Sequence, residues 1–295
     1  WYKAGFKISV VHAITTEDEE RVIAREKMSL DKSMVIVWRK GASGVKHVQE
    51  VKKEAVESIS AWVSKNVNSL NLDTYIEILG KVLSRFTQYE KLLGLKGEGI
   101  KTVEDLVSNY IFPTVAQSLI EGISKGVGAR IEDPYAVFYV LVKLLVPPTK
   151  TVRKLDPTTL IFLRVSGNID KENLIQNKVI TAGKDTISLV EPENANSINE
   201  KIQAFEKLEH VKRAINGDFN FKNPVHLLHY LEYVALKYPD RLEETIKQLR
   251  ERSRYVDEAL AIAKIFSRVL SDKDIEYEPC CKIVGGCKTG IERWV

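Results

Sequence analysis

Residues 170–190 read DKENLIQNKVITAGKDTISLV, and two local signals in that stretch decide how the chain is read. Asp170 is an N-cap residue ahead of a short amphipathic run to Asn177. Apolar and polar residues then alternate on both sides of Gly183-Lys184, the pattern of a hairpin. Upstream, Asp133-Pro134 opens a helix over Tyr135 to Val146 that stops before Pro147, because proline at the first helical position sacrifices no hydrogen bond. Asp156-Pro157 opens another by the same logic, and Gly167-Asn168 breaks it. Helix, helix, tight turn, short helix, hairpin is the order of a winged helix-turn-helix.

If such a unit grips a duplex, the short helix offers Lys171, Asn173, Gln176, Asn177 and Lys178, the hairpin tip offers Lys184, and Arg153 with Lys154 precedes the second helix. Side-chain amides bond adenine edges in pairs, and lysines neutralise phosphate. The plainer reading is that these polar side chains are merely solvated, or that the unit docks proteins.

On the N-terminal side, residues 6–14 (FKISVVHAI) and 34–38 (MVIVW) are β-rich runs around a charged excursion, and they read as two paired strands. After Gly41-Ala42-Ser43-Gly44 the pattern turns helical, with Val48, Val51, Ala55, Ile59, Trp62 and Val63 at spacings of three and four. Asp73 is read as the cap of a second helix to Tyr89, and Thr102 as the cap of a third that reaches Ile123 with a disturbance at Pro113. On the C-terminal side, amphipathic helices are expected at 198–215, 224–238, 241–252 and 256–270.

Composition removes several classes. The longest apolar run, Ala136 to Val146, contains Lys143 and ends at Pro147-Pro148, short of the roughly 20 residues a membrane span needs. Lys and Arg number 44 against 40 Asp and Glu, so the balance of +4 permits a local nucleic-acid surface without arguing for one. Cys280, Cys281 and Cys287 all lie near the end, and adjacent cysteines do not easily bond each other, which fits a reducing, cytoplasmic setting and a frayed, reduced tail. The opening Trp1-Tyr2-Lys3 carries no signal-peptide pattern and reads as a cut inside a folded element.

Four local patterns are weighed against packing. Asp133-Pro134-Tyr135 lacks the second proline of a base-holding Asp-Pro-Pro-Tyr loop and reads as a helix start. Gly122, Gly126 and Gly128 follow no strand and read as a helix terminator and turn. His226 and His229 are three apart on a helix, a spacing that can serve one metal, but no third ligand is placed beside them and Leu227, Leu228 and Leu231 point to packing. The three cysteines lack a second pair for zinc.

Ala4-Gly5-Phe6-Lys7-Ile8, Thr16-Glu17 and Ser33-Met34-Val35-Ile36-Val37-Trp38-Arg39-Lys40, with Leu79-Gly80-Lys81, Phe86-Thr87-Gln88-Tyr89, 133–145 and 225–232 further on, resemble the downstream part of the large adenine-specific DNA methylases of archaea and bacteria. The resemblance implies a strand pair that completes a methyltransferase sheet, with the donor-binding glycine loop and the Asp-Pro-Pro-Tyr loop upstream of Trp1. It carries no catalytic residue and no cofactor onto this chain, and assigns no role to Glu17; S-adenosylmethionine belongs to the intact protein.

The expected class is α+β, mainly α: residues 1–44 a terminal strand pair of a methyltransferase catalytic domain, 45–132 helical, 133–192 a winged-helix-like unit, 193–275 a C-terminal helical bundle, and 276–295 a Cys-containing tail. The expected function is the non-catalytic, DNA-binding portion of a DNA adenine methyltransferase, inactive alone, with DNA and an upstream catalytic domain, in cis or in trans, as partners and no membrane. The alternatives are a separate DNA-binding subunit of a split methylase and a helical protein-interaction module. A strand pair without its sheet is expected to be marginal in water.

Overall fold

The structure, a computed structural model, describes residues 5–15, 32–100, 102–146, 152–155, 169–183 and 187–286. Helix accounts for 59% and strand for 12%, so the chain is mainly helical with small sheets. It divides into two compact units, residues 1–126 with 155–170, and residues 127–154 with 171–295. The segment read as one winged-helix-like unit, 133–192, is divided: 133–154 and 171–192 fall in the second unit with 193–275, and 155–170 in the first.

The first unit opens with β1 (Phe6–Thr15) and β2 (Lys32–Lys40), antiparallel from Phe6↔Lys40 to Thr15↔Lys32 with an irregularity between Ile8 and Val10. Next come β3 (Val45–His47), α1 (Val48–Lys65), α2 (Leu72–Phe86) and β4 (Lys91–Leu93), with β3 and β4 parallel. The β1–β2 pair is not left bare: α2 covers one face. Ile8 is buried, and its amide donates to Thr87 Oγ1 at 2.9 Å. Gly80 admits Val11 so closely that a Cβ there would stand 2.6 Å from the Val11 Cβ. The other face stays open. Val10 pairs with Val37 and His12 with Val35, and the three valines are 40%, 37% and 44% exposed.

Helix α2 is capped by Asn71 and not by Asp73. Asn71 Oδ1 accepts from the Thr74 amide at 2.9 Å and Thr74 Oγ1 accepts from the Asn71 amide, a reciprocal box two residues earlier than expected. Asp73 falls in the first turn, where its charge suits the helix dipole. The third expected helix is broken as anticipated near Pro113, into α3 (Val103–Leu106), a wide π turn over Val107–Ile111, and α4 (Phe112–Val127). Two of the glycines read as terminators lie inside α4 instead. A Cβ on Gly122 would meet Val63 Cβ at 2.4 Å, and one on Gly126 would meet the Ser64 carbonyl oxygen at 2.7 Å, so both exist to let α4 lie backbone-close to α1. Only Gly128, with φ +65°, terminates.

In the second unit α5 (Pro134–Leu145) is buried almost all round, with Asp133 Oδ1 accepting from the amides of Tyr135 and Ala136. Then follow β5 (Lys154–Leu155), whose first residue ends the stretch 127–154 of this unit, α6 (Lys171–Gln176), β6 (Ile180–Ala182) and β7 (Ile187–Leu189), the strands ordered β5-β7-β6 with β6 and β7 antiparallel. Five helices complete it: α7 (Ile198–Glu206), α8 (Glu209–Ile215), α9 (Pro224–Lys237), α10 (Leu242–Arg250) and α11 (Val256–Val269). A sixth, α12 (Tyr277–Ile283), lies where a frayed tail was expected and packs on α9 and α11. Cys280 and Cys281 are buried there. Cys280 is a free thiol, but Cys281 is disulfide-bonded, so the expectation of a fully reduced tail does not hold.

Candidate functional site

The eight residues expected at a nucleic-acid surface separate into groups. Lys154, Lys171 and Gln176 are exposed, on β5 and α6. Asn173 is half-buried and holds the end of α6 through its carbonyl, which accepts from the Asn177 amide. Asn177 turns inward: its Nδ2 donates to Tyr135 Oη at 2.8 Å, and its own carbonyl accepts from Asn223 Nδ2 at 2.9 Å. Its amide is therefore spent on the fold. Lys178 ends α6 in the left-handed region, φ +54°, a strained place for a side chain with a Cβ, and its ammonium pairs with Glu209. Lys184, and the helix expected from Asp156-Pro157 to Gly167-Asn168, lie outside the described residues.

Arg153 is the clear correction. Its side chain is 4% exposed, with Nη1 on Glu191 at 2.6 Å, Nη2 on Asp274 at 2.7 Å and Nε donating to the Val146 carbonyl. A guanidinium so enclosed cannot reach phosphate.

Arg153 leads into a buried charge cluster that the sequence reading missed. Lys143, on α5, sets its ammonium against Glu191 at 3.1 Å, Asp274 at 2.8 Å and the Oε2 of Glu276. These contacts tie the segment after β7 and the turn before α12 to α5 within the second unit. Burial would strip the proton from Lys143, but the carboxylates of Glu276, Glu191 and Asp274 outweigh it and hold the ammonium more firmly than usual. Burial likewise opposes ionisation of Glu276, yet Lys143, with a hydrogen bond from His229, brings its carboxyl down to about 2.

The cluster continues into imidazoles. Tyr139 Oη lies 2.8 Å from Glu276 Oε1 and 2.9 Å from His229 Nε2, and His229 Nε2 lies 3.0 Å from the same Glu276 oxygen. His229 Nδ1 meets His210 Nε2 at 2.9 Å. His210 stacks on His226 at a centroid distance of 4.0 Å with the rings 3° from parallel, and His226 Nε2 approaches the Lys178 carbonyl at 3.4 Å. His226 and His229 thus do not converge on one point; both are buried, as are Leu227, Leu228 and Leu231 of the same helix, and both meet His210. Burial pushes His210 well below its ordinary range and His226 down to about 4. Glu232, one turn after His229 on α9, accepts from the Cys280 thiol through Oε1 at 3.1 Å, while its Oε2 has no hydrogen-bond partner. Burial first, and the charge of Glu276 second, raise its carboxyl well above the usual range.

Two signals could have found this cluster. Lys143 and Glu232 are each the only charged residue well inside an otherwise apolar helical run, 136–146 and 225–236. A charge there must be buried, and a buried charge needs partners.

Among the described residues, the parallel β3–β4 pair does not offer the strand-end glycine loop at which a methyl donor is held: it has three residues per strand, and β3 runs into α1 without an intervening loop. Compared with protein-family models, curated proteins and solved structures, the chain matches none.

Proposed function

We propose that this chain is a nucleic-acid-binding, non-catalytic portion of a DNA adenine methyltransferase, and that α6 with the β6–β7 hairpin forms its winged-helix contact to duplex DNA. The observation that carries the reading is the strand order: α5, then β5, then α6 leading directly into β6 and back through β7, with β7 between the other two strands. In a winged helix the last strand returns between the first two and carries the wing at its turn. Lys154, Lys171 and Gln176 supply the exposed groups, and Asn177, anchored to Tyr135 and Asn223, fixes the helix that presents them.

The open valine face of β1–β2 supports the second half of the reading, a strand pair that belongs in a larger sheet domain. Adenosylmethionine and the acceptor loop belong to that domain, so no step of methyl transfer is assigned to residues of this chain.

Fluorescence anisotropy with a labelled duplex tests the DNA contact. The full chain is expected to bind with an affinity that falls steeply with salt, each neutralised phosphate adding about 0.9 to the log–log slope. Lys154→Glu with Lys171→Glu should weaken binding and flatten that slope by about 2. An affinity and slope equal to wild type would remove α6 and β5 from the interface, and absence of any duplex binding would leave the protein-interaction reading in its place.

A further inference from the structure

We infer that His229, Glu232 and Glu276 form a binding site for one divalent transition-metal ion of the zinc type, inside the second unit and separate from the proposed DNA surface. One imidazole nitrogen and one oxygen from each carboxylate lie within 4.8 Å of one another, and all three side chains are fully buried. The positions follow from the fold. His229 and Glu232 are three apart on α9 and share a face, while Glu276 stands just ahead of α12, which packs on that face.

Three observations point to an ion. The first is the unpartnered oxygen: Glu232 Oε2 is buried without a donor, a state that costs as much as a broken hydrogen bond and that a cation would relieve. The second is charge. Once an ion displaces the proton that burial keeps on Glu232, two buried cations, Lys143 and Arg153, face four buried carboxylates, Glu191, Glu232, Asp274 and Glu276, and the two negative charges left over match one divalent ion. The third is the outer contact. A histidine that ligates metal through one nitrogen is held by a hydrogen bond at the other, and His229 has its Nδ1 on His210 while its Nε2 lies beside Glu276 Oε1 and Tyr139 Oη, the hydroxyl that an ion would displace from the nitrogen.

The dimensions agree. Two ligands each about 2.0–2.1 Å from a tetrahedral zinc stand about 3.3 Å apart, and His229 Nε2 is 3.0 Å from Glu276 Oε1. The three ligand atoms lie within 4.8 Å of one another, so the widest side of the triangle closes by at most about 1.5 Å to hold the ion. One nitrogen and two carboxylate oxygens suit zinc, manganese or ferrous iron and disfavour copper(I). The competing account balances the cluster with protons in place of the ion, and it predicts no affinity for metal.

Burial of all three ligands means that an ion enters as the unit folds, so the test is refolding of the full chain with Zn²⁺, with Co²⁺, or with EDTA. The expected result is close to one ion retained per chain after desalting, by mass spectrometry of the metal, visible d–d absorption for the cobalt form, and a melting temperature higher than that of the EDTA sample. Glu232→Gln, nearly isosteric, should refold with the same far-ultraviolet circular dichroism and lose the retained ion. His210→Gln, which alters the outer contact, should weaken retention by about 10–100-fold. A wild-type chain that refolds in Zn²⁺ or Co²⁺ with no retained ion and an unchanged melting temperature overturns the proposal in favour of the protonated cluster, whatever the variants do. Retention of the ion by Glu232→Gln overturns it equally, by placing the ion elsewhere.

Discussion

The two units bury different chemistry. In the first, the buried polar residues are hydroxyls alone among the described residues: Ser60, Thr74, Thr87, Thr114 and Ser118. Each but Thr74 answers a carbonyl of its own chain three or four residues back, or, in Thr74, a cap. In the second, Lys143, Arg153, Glu191, His210, His226, His229, Glu232, Asp274 and Glu276 all lie inside. Both units have ample apolar core, so the charges are not what lets the second one fold. Replacing such a cluster with hydrocarbon is often neutral or stabilising, which makes its presence an argument for binding and not for stability.

The comparison is broken most forcefully at Lys143. Lys143→Met leaves Glu191, Asp274 and Glu276 facing one another with Arg153 as the remaining cation, and should cost about 3–5 kcal/mol. Hydrogen exchange by mass spectrometry is expected to show the loss in peptides from 127–146 and 187–286, with 45–100 unaffected; an equal loss in both would erase the distinction between the units.

Acid sharpens it next. His226 is held near 4 against an ordinary 6.5, chiefly by burial, so the folded state prefers the neutral ring. The stability it contributes is complete above about pH 6.5 and declines as pH falls toward 4, because the unfolded chain takes up a proton that the folded one refuses. The shift corresponds to about 3 kcal/mol. His210 acts in the same direction, while Glu232, with its raised carboxyl, acts in the opposite one and is at its most stabilising in acid. Urea unfolding of wild type and His226→Gln across that range isolates the term, and parallel curves for the two proteins would refute it.

The smallest effect belongs to the first unit, where packing alone is at stake. Gly122→Ala sets a methyl 2.4 Å from the Val63 Cβ and 2.9 Å from the Ser60 carbonyl oxygen. Helix propensity gains about 1 kcal/mol from the exchange, but the crossing of α1 and α4 must widen, at a cost of typically 1–3 kcal/mol. A net loss of about 1 kcal/mol, confined to the first unit and insensitive to pH, is expected by thermal unfolding. A gain in stability would show that the crossing relaxes freely.

Legibility followed the range of the interaction. The helix started by Asp133-Pro134 stands where it was read because an N-cap acts within three residues, and the β6–β7 pair was visible because alternation is local. The cap of α2 was misplaced by two residues, since Asn71 and Asp73 are both competent and the choice rests on Thr74 completing a box with only one of them. Arg153 illustrates the larger failure. Beside Lys154 it read as a basic pair for phosphate, yet strand alternation turns one of the two inward, onto Glu191 and Asp274.

By itself the sequence determined where most helices begin and end, that strand content is small, and which lysine and glutamate break their apolar runs. Only the tertiary structure decided which face of β1–β2 is covered, why Gly122 and Gly126 sit inside a helix, and which partners meet Lys143 and Glu232. Those partners are 48 residues away, as for Glu232 with Cys280 and Lys143 with Glu191, or 131, as for Lys143 with Asp274. Capping and periodicity are written in neighbouring residues, whereas the pairing of buried charges is a property of the packed interior, where low polarity makes each charge seek whatever opposite charge the fold brings near.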